Sequence, residues 1–371
     1  MKSSTKVLAT ILLLFISTTV SLEAAGIAYA YIVEGRFFYA RSTPAAVPTW
    51  RSTIHPFWGH ATVPDNDANK DVIYDDMAIS HAPSFGQVVH PIERKKDEII
   101  IGIFGGSVAA SLGYWAEHNP RGFNDLIAAE FPGKTVRTIN FAVVGQKQPS
   151  TANILTYFLA LGQEFDLVIN VDGFNDAVIS ASNAEKGIHY SWPAPAWARA
   201  INKIAEPDLS GIGAKCPIAA CYAVAKIAAV TAGSLIRLFN VPSANMMLVP
   251  RNRGSENDII SYWLKASQLM EAMAKSQGIK YLHVLQPNQW FRRSAPYGGV
   301  KENHSYDFVP VFYPKMIEAA KASGENFFDA TAALDAYGDE VYSDTCCHLT
   351  EEGREQVLKV LVPHAVDALQ R

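Results

Sequence analysis

The stretch Glu98–Ser107 (EIIIGIFGGS) decides how this chain folds. Its centre, Ile99–Phe104, is a short, isoleucine-rich run closed by Gly105-Gly106. Such a run reads as a strand buried on both faces, the habit of parallel sheets. Further runs of this kind lie downstream at Val136–Ala142 (VRTINFA), Leu167–Val171 (LVINV) and Lys280–Leu285 (KYLHVL), with a short fifth at Asn326–Asp329 (NFFD). Between them the spacing predicts helices near Gly122–Phe131, Ser150–Gln163, Asn257–Ser276, Asp307–Ala322 and Thr350–Leu369. Alternating strands and helices are the signature of βαβ units, so residues 98–371 read as one α/β domain. The last helix opens well, with Thr350 as N-cap and Glu351 and Glu352 in the turn where the helix dipole favours acids.

Composition narrows the class. Hydrophobic residues make up 49% of the 371 and charged residues only 18%, below the roughly 25% of an ordinary soluble domain. That excludes disorder, which needs low hydrophobicity and high net charge. With 32 Lys+Arg against 36 Asp+Glu, the net charge of −4 lacks the basic footprint of a nucleic-acid binder. Four cysteines are too few to build a scaffold of disulfides, so a hydrophobic core holds the fold. Cys216, Cys221, Cys346 and Cys347 allow three pairings, and the sequence does not choose among them. A bridge from Cys346 or Cys347 to Cys216 or Cys221 would tie the 177–255 region to the His348 loop.

Part of the apolar surplus sits at the start. Lys2 and Lys6 precede the uncharged Val7–Leu22, and after Glu23 the uncharged run continues to Val33. Residues 1–34 therefore read as a retained signal anchor, which the length favours, or as a signal peptide cleaved near Ala28-Tyr-Ala30. Either way the remainder is expected outside the cytoplasm, periplasmic or extracellular, with the membrane as a partner through this segment. Residues 35–97, rich in proline and without sustained period, read as an irregular stem. An insertion at 177–255 contains the apolar stretch Pro217–Phe239, expected as a packed helix or a cap over the active site.

Four motifs fall at strand ends or loop–helix junctions, where open α/β sheets place ligands. Gly105-Gly106-Ser107 puts a serine at a sharp strand-to-helix turn with its N–H exposed. Gly145, after the second strand, can bring a backbone N–H near a bound carbonyl. Asn175, in Gly173-Phe-Asn-Asp176, can donate a side-chain amide to a developing oxyanion. His348, in Asp344-Thr-Cys-Cys-His348, sits on a loop beside a carboxylate, as the base of a Ser–His–Asp arrangement does.

This ordered set resembles the SGNH (GDSL-like) hydrolase family, over roughly residues 98–371, and specifically its exported bacterial members with an N-terminal membrane segment. The resemblance implies a flavodoxin-like three-layer α/β/α sandwich with a parallel five-stranded sheet. It implies Ser107 as nucleophile and oxyanion N–H donor, Gly145 and Asn175 as further oxyanion donors, and His348 as general base. Two departures stand out. The first block reads Gly-Gly-Ser where the family name has Gly-Asp-Ser. The family's acid usually lies three residues before the histidine, where this chain has Thr345; Asp344 lies four before. Either Asp344 reaches His348 through a bulged loop, or a backbone carbonyl orients the imidazole and a Ser–His dyad remains.

No Gly-x-Gly-x-x-Gly, Walker lysine, His-Glu-x-x-His or Cys-x-x-Cys spacing is present, so neither cofactor nor metal is implied. The expected function is a serine esterase or deacylase acting on a small or carbohydrate-linked ester at the cell envelope. The alternatives are an O-acyltransferase on an envelope polysaccharide and a non-catalytic carbohydrate-binding or assembly module of the same fold. Oligomeric state is not legible. Trp290, Phe291 and Tyr297 read either as pocket lining or as ordinary packing.

Overall fold

Glu98–Gly105 is buried along its whole length, and the sheet assembles around it. The computed structural model describes residues 2–34, 50–55, 57–64, 73–74, 79–82, 88–193, 219–221, 223–224, 228, 254–291 and 306–371. They belong to two units, Met1–Val47 with Ile201–Leu248, and Pro48–Ala200 with Val249–Arg371.

The first unit carries α1 (Lys2–Glu34). Thr10–Tyr29 within it, 20 residues of mean hydropathy 1.9, is long and apolar enough to cross a membrane. At 1.5 Å per residue it spans about 30 Å, the thickness of a bilayer's hydrocarbon core. Its side chains from Ile11 to Ile16 are exposed. Glu23 accepts backbone N–H bonds from Ala219 at 2.8 Å and Ala220 at 2.9 Å. One turn on, Gly26 lies so close to Ala219 that a Cβ would stand 2.3 Å from its carbonyl carbon. Expected as a packed helix or a cap, the insertion thus has its described residues around Ala219 packed on α1; the rest of Pro217–Phe239 lies outside the described residues.

In the second unit, β1 (Trp50–His55) and β2 (Gly59–Pro64) form an antiparallel hairpin, and β3 (Ile73–Tyr74) pairs with β4 (Ser80–His81). Then follow β5 (Glu98–Gly105), α2 (Ser107–His118), α3 (Phe123–Ala128), β6 (Thr135–Asn140), α4 (Ser150–Ala160), β7 (Leu167–Asp172) and α5 (Phe174–Glu185). After the insertion come α6 (Glu256–Ser276), β8 (Lys280–Leu285), α7 (Val309–Ser323), β9 (Phe327–Asp329) and α8 (Glu351–Gln370). The five strands β5 to β9 run parallel in the order β6-β5-β7-β8-β9, the flavodoxin-like arrangement. Helix α8 packs on α2 and α3 in one layer, while α6 joins α4, α5 and α7 in the other. Alternation along β5 serves both: Ile99, Ile101 and Ile103 join one apolar cluster, Ile100 and Phe104 the other.

Two expectations shift. Helix α5 begins at Phe174, so the first turns of the expected 177–255 insertion belong to the sandwich: Ala177 and Ala181 are core residues. The 35–97 stretch, expected to be irregular, contains the four short strands, and part of it is built into the core. Ile79 and Trp58 are buried among Phe158 and Phe141. Buried Glu117 of α2 accepts from Ala82 N–H at 3.0 Å and Asn140 N–H at 2.8 Å, and lies 2.9 Å from His81 Nδ1.

Candidate active site

Two adjacent strand ends make the site. β5 and β7 are neighbours, and the chain leaves them in opposite lateral directions, which opens the crevice where such sheets bind ligands. At the end of β5, Gly105 has φ of +140°, and a Cβ there would meet the Val171 carbonyl oxygen at 2.0 Å. Only glycine lets the strand turn that tightly beside β7. Gly106 caps α2, and Ser107 is its first residue. Its N–H is therefore among the first-turn groups that have no carbonyl of their own helix to reach. At the end of β7, Gly173 (φ +105°) caps α5 and delivers Asn175 to the first turn of that helix. The Asn175 amide donates to the Gln146 carbonyl oxygen at 2.8 Å, which orients its nitrogen inward and leaves its second N–H available. A Cβ on Gly106 would stand 2.6 Å from that nitrogen, so the glycine at this position gives the amide its room. Gly145 follows β6 in a turn with φ of +80°. Its backbone N–H donates to no other described residue.

His348 Nε2 lies 2.7 Å from Ser107 Oγ, and Nδ1 hydrogen-bonds Asp344 Oδ2. The extra residue before His348 is accommodated by a tight nest. Asp344 Oδ1 accepts the backbone N–H groups of Cys346 at 2.9 Å, Cys347 at 3.1 Å and His348 at 3.1 Å. Partial burial pushes the Asp344 carboxyl up, but the His348 ring and the N–H groups of Cys346 and His348 hold it below the usual carboxylate range. The loop is closed beneath by Tyr342 bridging to Leu349 and Ser343 N–H donating to the His348 carbonyl at 2.9 Å. Gln289 Nε2 braces it from above, donating to the carbonyls of Asp344 at 3.1 Å and Cys346 at 2.9 Å. The Trp290 indole adds a third bond, to Cys346 O at 3.0 Å.

The structure thus brings Ser107, Asn175, His348 and Asp344 to one sheet edge. Trp290 braces the histidine loop, the Phe291 ring lies 5.6 Å from that of Tyr313 and tilted to it, and Tyr297 lies outside the described residues. Sequence reading missed Gln289, for which a lone glutamine gives no signal. It also missed a buried polar cluster beneath the Gly173 turn. There Asp172 accepts from the Trp263 indole at 2.7 Å and from Gln148 and Asn170 amides at 3.0 and 2.8 Å. His283 sits between Asp172 and Glu325, 2.9 Å from each. Burial opposes its charge, yet the two carboxylates raise its pKa to about 10. Asp176, buried and near Asp172, is pushed up to about 7, and burial takes Lys147 down to about 8. Among the cysteines, Cys221 is disulfide-bonded, whereas Cys346 and Cys347 are free thiols, so of the pairings the sequence leaves open, none that joins the histidine loop to the 177–255 region is made. Cys216 lies outside the described residues.

Solved structures similar to this chain are GDSL-like and acetylxylan esterase proteins. An acylhydrolase from Bacteroides fragilis matches at 12% identity, covering 75% of this chain and 90% of its own, with a TM-score of 0.37. A GDSL-like lipase from Bacteroides thetaiotaomicron matches at 11%, covering 76% and 92%, with a TM-score of 0.37. An acetylxylan esterase from Geobacillus stearothermophilus matches at 8%, covering 74% and 95%, with a TM-score of 0.38. No family model matches the sequence, and no curated protein does.

Proposed function

We propose that this chain is a serine esterase or deacylase that works through an acyl-enzyme on a small or glycan-linked ester at the cell envelope. The observation that supports it most is the continuous hydrogen-bonded line from Ser107 Oγ through His348 to Asp344. Nucleophile, base and orienting acid stand within reach of one another, at the crevice where the fold binds ligands.

In this reading His348 Nε2 takes the Ser107 proton as Oγ attacks the ester carbonyl. The carbonyl oxygen becomes an oxyanion, held by the Ser107 and Gly145 N–H groups and the spare N–H of Asn175. Asp344 stabilises the imidazolium and keeps the ring in the tautomer that accepts at Nε2. His348 then returns the proton to the leaving alcohol. Water, deprotonated by the same histidine, releases the acid from Ser107. The N-terminal helix supports a place at a membrane, with the α/β unit outside the cytoplasm.

A fluorophosphonate probe tests the reading directly. It is expected to label Ser107, and Ser107→Ala is expected to lose both labelling and hydrolysis of a short-chain aryl ester. Full hydrolysis by Ser107→Ala would sink the assignment. A chain that neither reacts with the probe nor cleaves any acyl ester would be a binding module.

A further inference from the structure

Between the acid and the base of the site lie two neighbouring thiols that the mechanism does not use. Cys346 and Cys347 are both free, and their sulfurs are 3.0 Å apart. Cys346 is half-buried and Cys347 fully buried, so an external reagent meets Cys346 first. The backbone N–H groups of these two residues are two of the three that hold Asp344 Oδ1. Whatever happens to the sulfurs is therefore felt at the carboxylate that orients His348.

A metal is the first alternative, since Cys346, Cys347 and His348 cluster closely. Two thiolates on one tetrahedral zinc, each at about 2.3 Å, stand roughly 3.7 Å apart, wider than this pair. Both nitrogens of His348 are also engaged, one by Ser107 and one by Asp344. The pair fits a sulfur–sulfur bond better, with only about 1 Å to close to reach 2.05 Å.

We infer that Cys346 and Cys347 form a redox modification site, oxidised by an external disulfide to a disulfide between neighbouring residues, and that closing this ring weakens the Asp344–His348 pair. The Cys346 thiolate attacks one sulfur of the external disulfide and displaces the first thiol. The Cys347 thiolate then attacks Cys346 Sγ and displaces the second. The cysteine pair loses two electrons and two protons, and the external disulfide becomes two thiols. The order of attack suits the site: the neighbouring Cys347 thiol and the Tyr306 hydroxyl hold the Cys346 thiol low, and burial pushes Cys347 up.

The effect on the site follows from backbone reach. Neighbouring Cα atoms across a trans peptide are about 3.8 Å apart, below the roughly 4.4 Å minimum common in disulfides. The peptide joining Cys346 and Cys347 is trans, so ring closure must move it, and that peptide carries the Cys347 N–H bound to Asp344. A disulfide under such constraint is readily reduced again, as reversible ones are. The disulfide at Cys221 indicates that the chain meets a thiol-oxidising system.

The consequence for turnover rests on the esterase reading, whereas the thiol chemistry does not, so the test reads both. The full-length protein is treated with oxidised glutathione. Peptide mapping should show the Cys346–Cys347 peptide short of two hydrogens and free of glutathione. Amide exchange over residues 345–348 should quicken as the bonds to Asp344 are lost. Ester hydrolysis should fall tenfold or more, within the roughly 10⁴-fold cost of losing an orienting aspartate. Dithiothreitol, at a level that leaves the Cys221 bridge intact in the same map, should restore it. Cys346→Ser should hold its own untreated rate when the oxidant is added, whereas Cys347→Ala, which keeps the attacking thiol but lacks the resolving one, should stop at a glutathione adduct on Cys346. A pair that stays reduced, stops at a glutathione adduct, or oxidises without change in exchange and rate would overturn the proposal. If no redox state hydrolyses an ester, the enzymatic reading fails alone, and the exchange measurement still decides this one.

Discussion

Asp344 grips His348 twice. Its Oδ2 hydrogen-bonds the ring at Nδ1, and its Oδ1 accepts the same residue's backbone N–H at 3.1 Å. One carboxylate thus sets both the tautomer of the base and the path of the loop that carries it. This leaves Nε2 aimed at Ser107 Oγ, 2.7 Å away.

Replacing that carboxylate tests whether the four-residue spacing is functional. Asp344→Asn keeps the shape but offers an amide to Nδ1, and its kcat should fall by up to about 10⁴, as when an orienting aspartate is exchanged elsewhere. Circular dichroism should stay unchanged. An unaltered rate would show that another group orients His348.

The Asn175 amide and Gly106 should behave as one unit. Removing an oxyanion donor costs about 10²–10³ in kcat, so Asn175→Ala should lose that much. Gly106→Ala adds a Cβ 2.6 Å from Asn175 Nδ2 and 2.9 Å from the Gln146 carbonyl oxygen, and so should displace the amide. The double variant should be little slower than either single one, because both remove the same donor. Losses that multiply would separate the two residues.

Stability of the α/β unit should fall as pH rises past neutral. The folded pKa of His283, raised to about 10, stabilises the fold fully below the ordinary value near 6.5, and that contribution is lost as pH climbs through 10. Asp176, raised to about 7, acts in the same direction between about 4 and 7. Asp172, held low by His283, loses its contribution only in acid. Lys147, lowered by burial to about 8, opposes His283 between about 8 and its ordinary 10.5, so the net fall lies mainly between about pH 6.5 and 8. Thermal melts at pH 6.5 and 10 should show the fall. His283→Gln should cost about 3–5 kcal/mol by leaving buried carboxylates unpaired, and should flatten that slope. A variant as steep as the parent would place the titration elsewhere.

The N-terminal helix makes its own prediction. If α1 is a retained anchor, carbonate washing should leave the chain with the membranes, and its intact mass should include residues 1–34. A washed-out chain beginning after Ala30 would select the cleaved signal. Glu23→Ala removes the acceptor of the Ala219 and Ala220 N–H groups and should raise protease cutting at Ala219–Cys221.

Much of the fold was legible because its signals are local. An isoleucine run closed by two glycines reports a buried strand and a sharp turn without reference to anything distant, and β8 was read to the residue. Helix α5 was hidden because Asn175 and Asp176 look like an isolated turn. The core role of Ile79–Ala82 was hidden because their partners, Glu117 and Asn140, are far along the chain. Gln289 and the Asp172–His283–Glu325 cluster left no pattern at all, since each makes sense only beside its partners.

The succession of strands and helices along the chain, the glycine turns and the sequence of serine, asparagine and histidine were determined by the chain itself, through periodicity and backbone freedom. Whether Asp344 completes the line was not. A spacing of four residues permits either a bulged loop that brings the carboxylate to the ring or one that turns it away. Only the folded loop decides, because three converging N–H groups, the Gln289 brace and the Tyr342–Leu349 bridge together select the first.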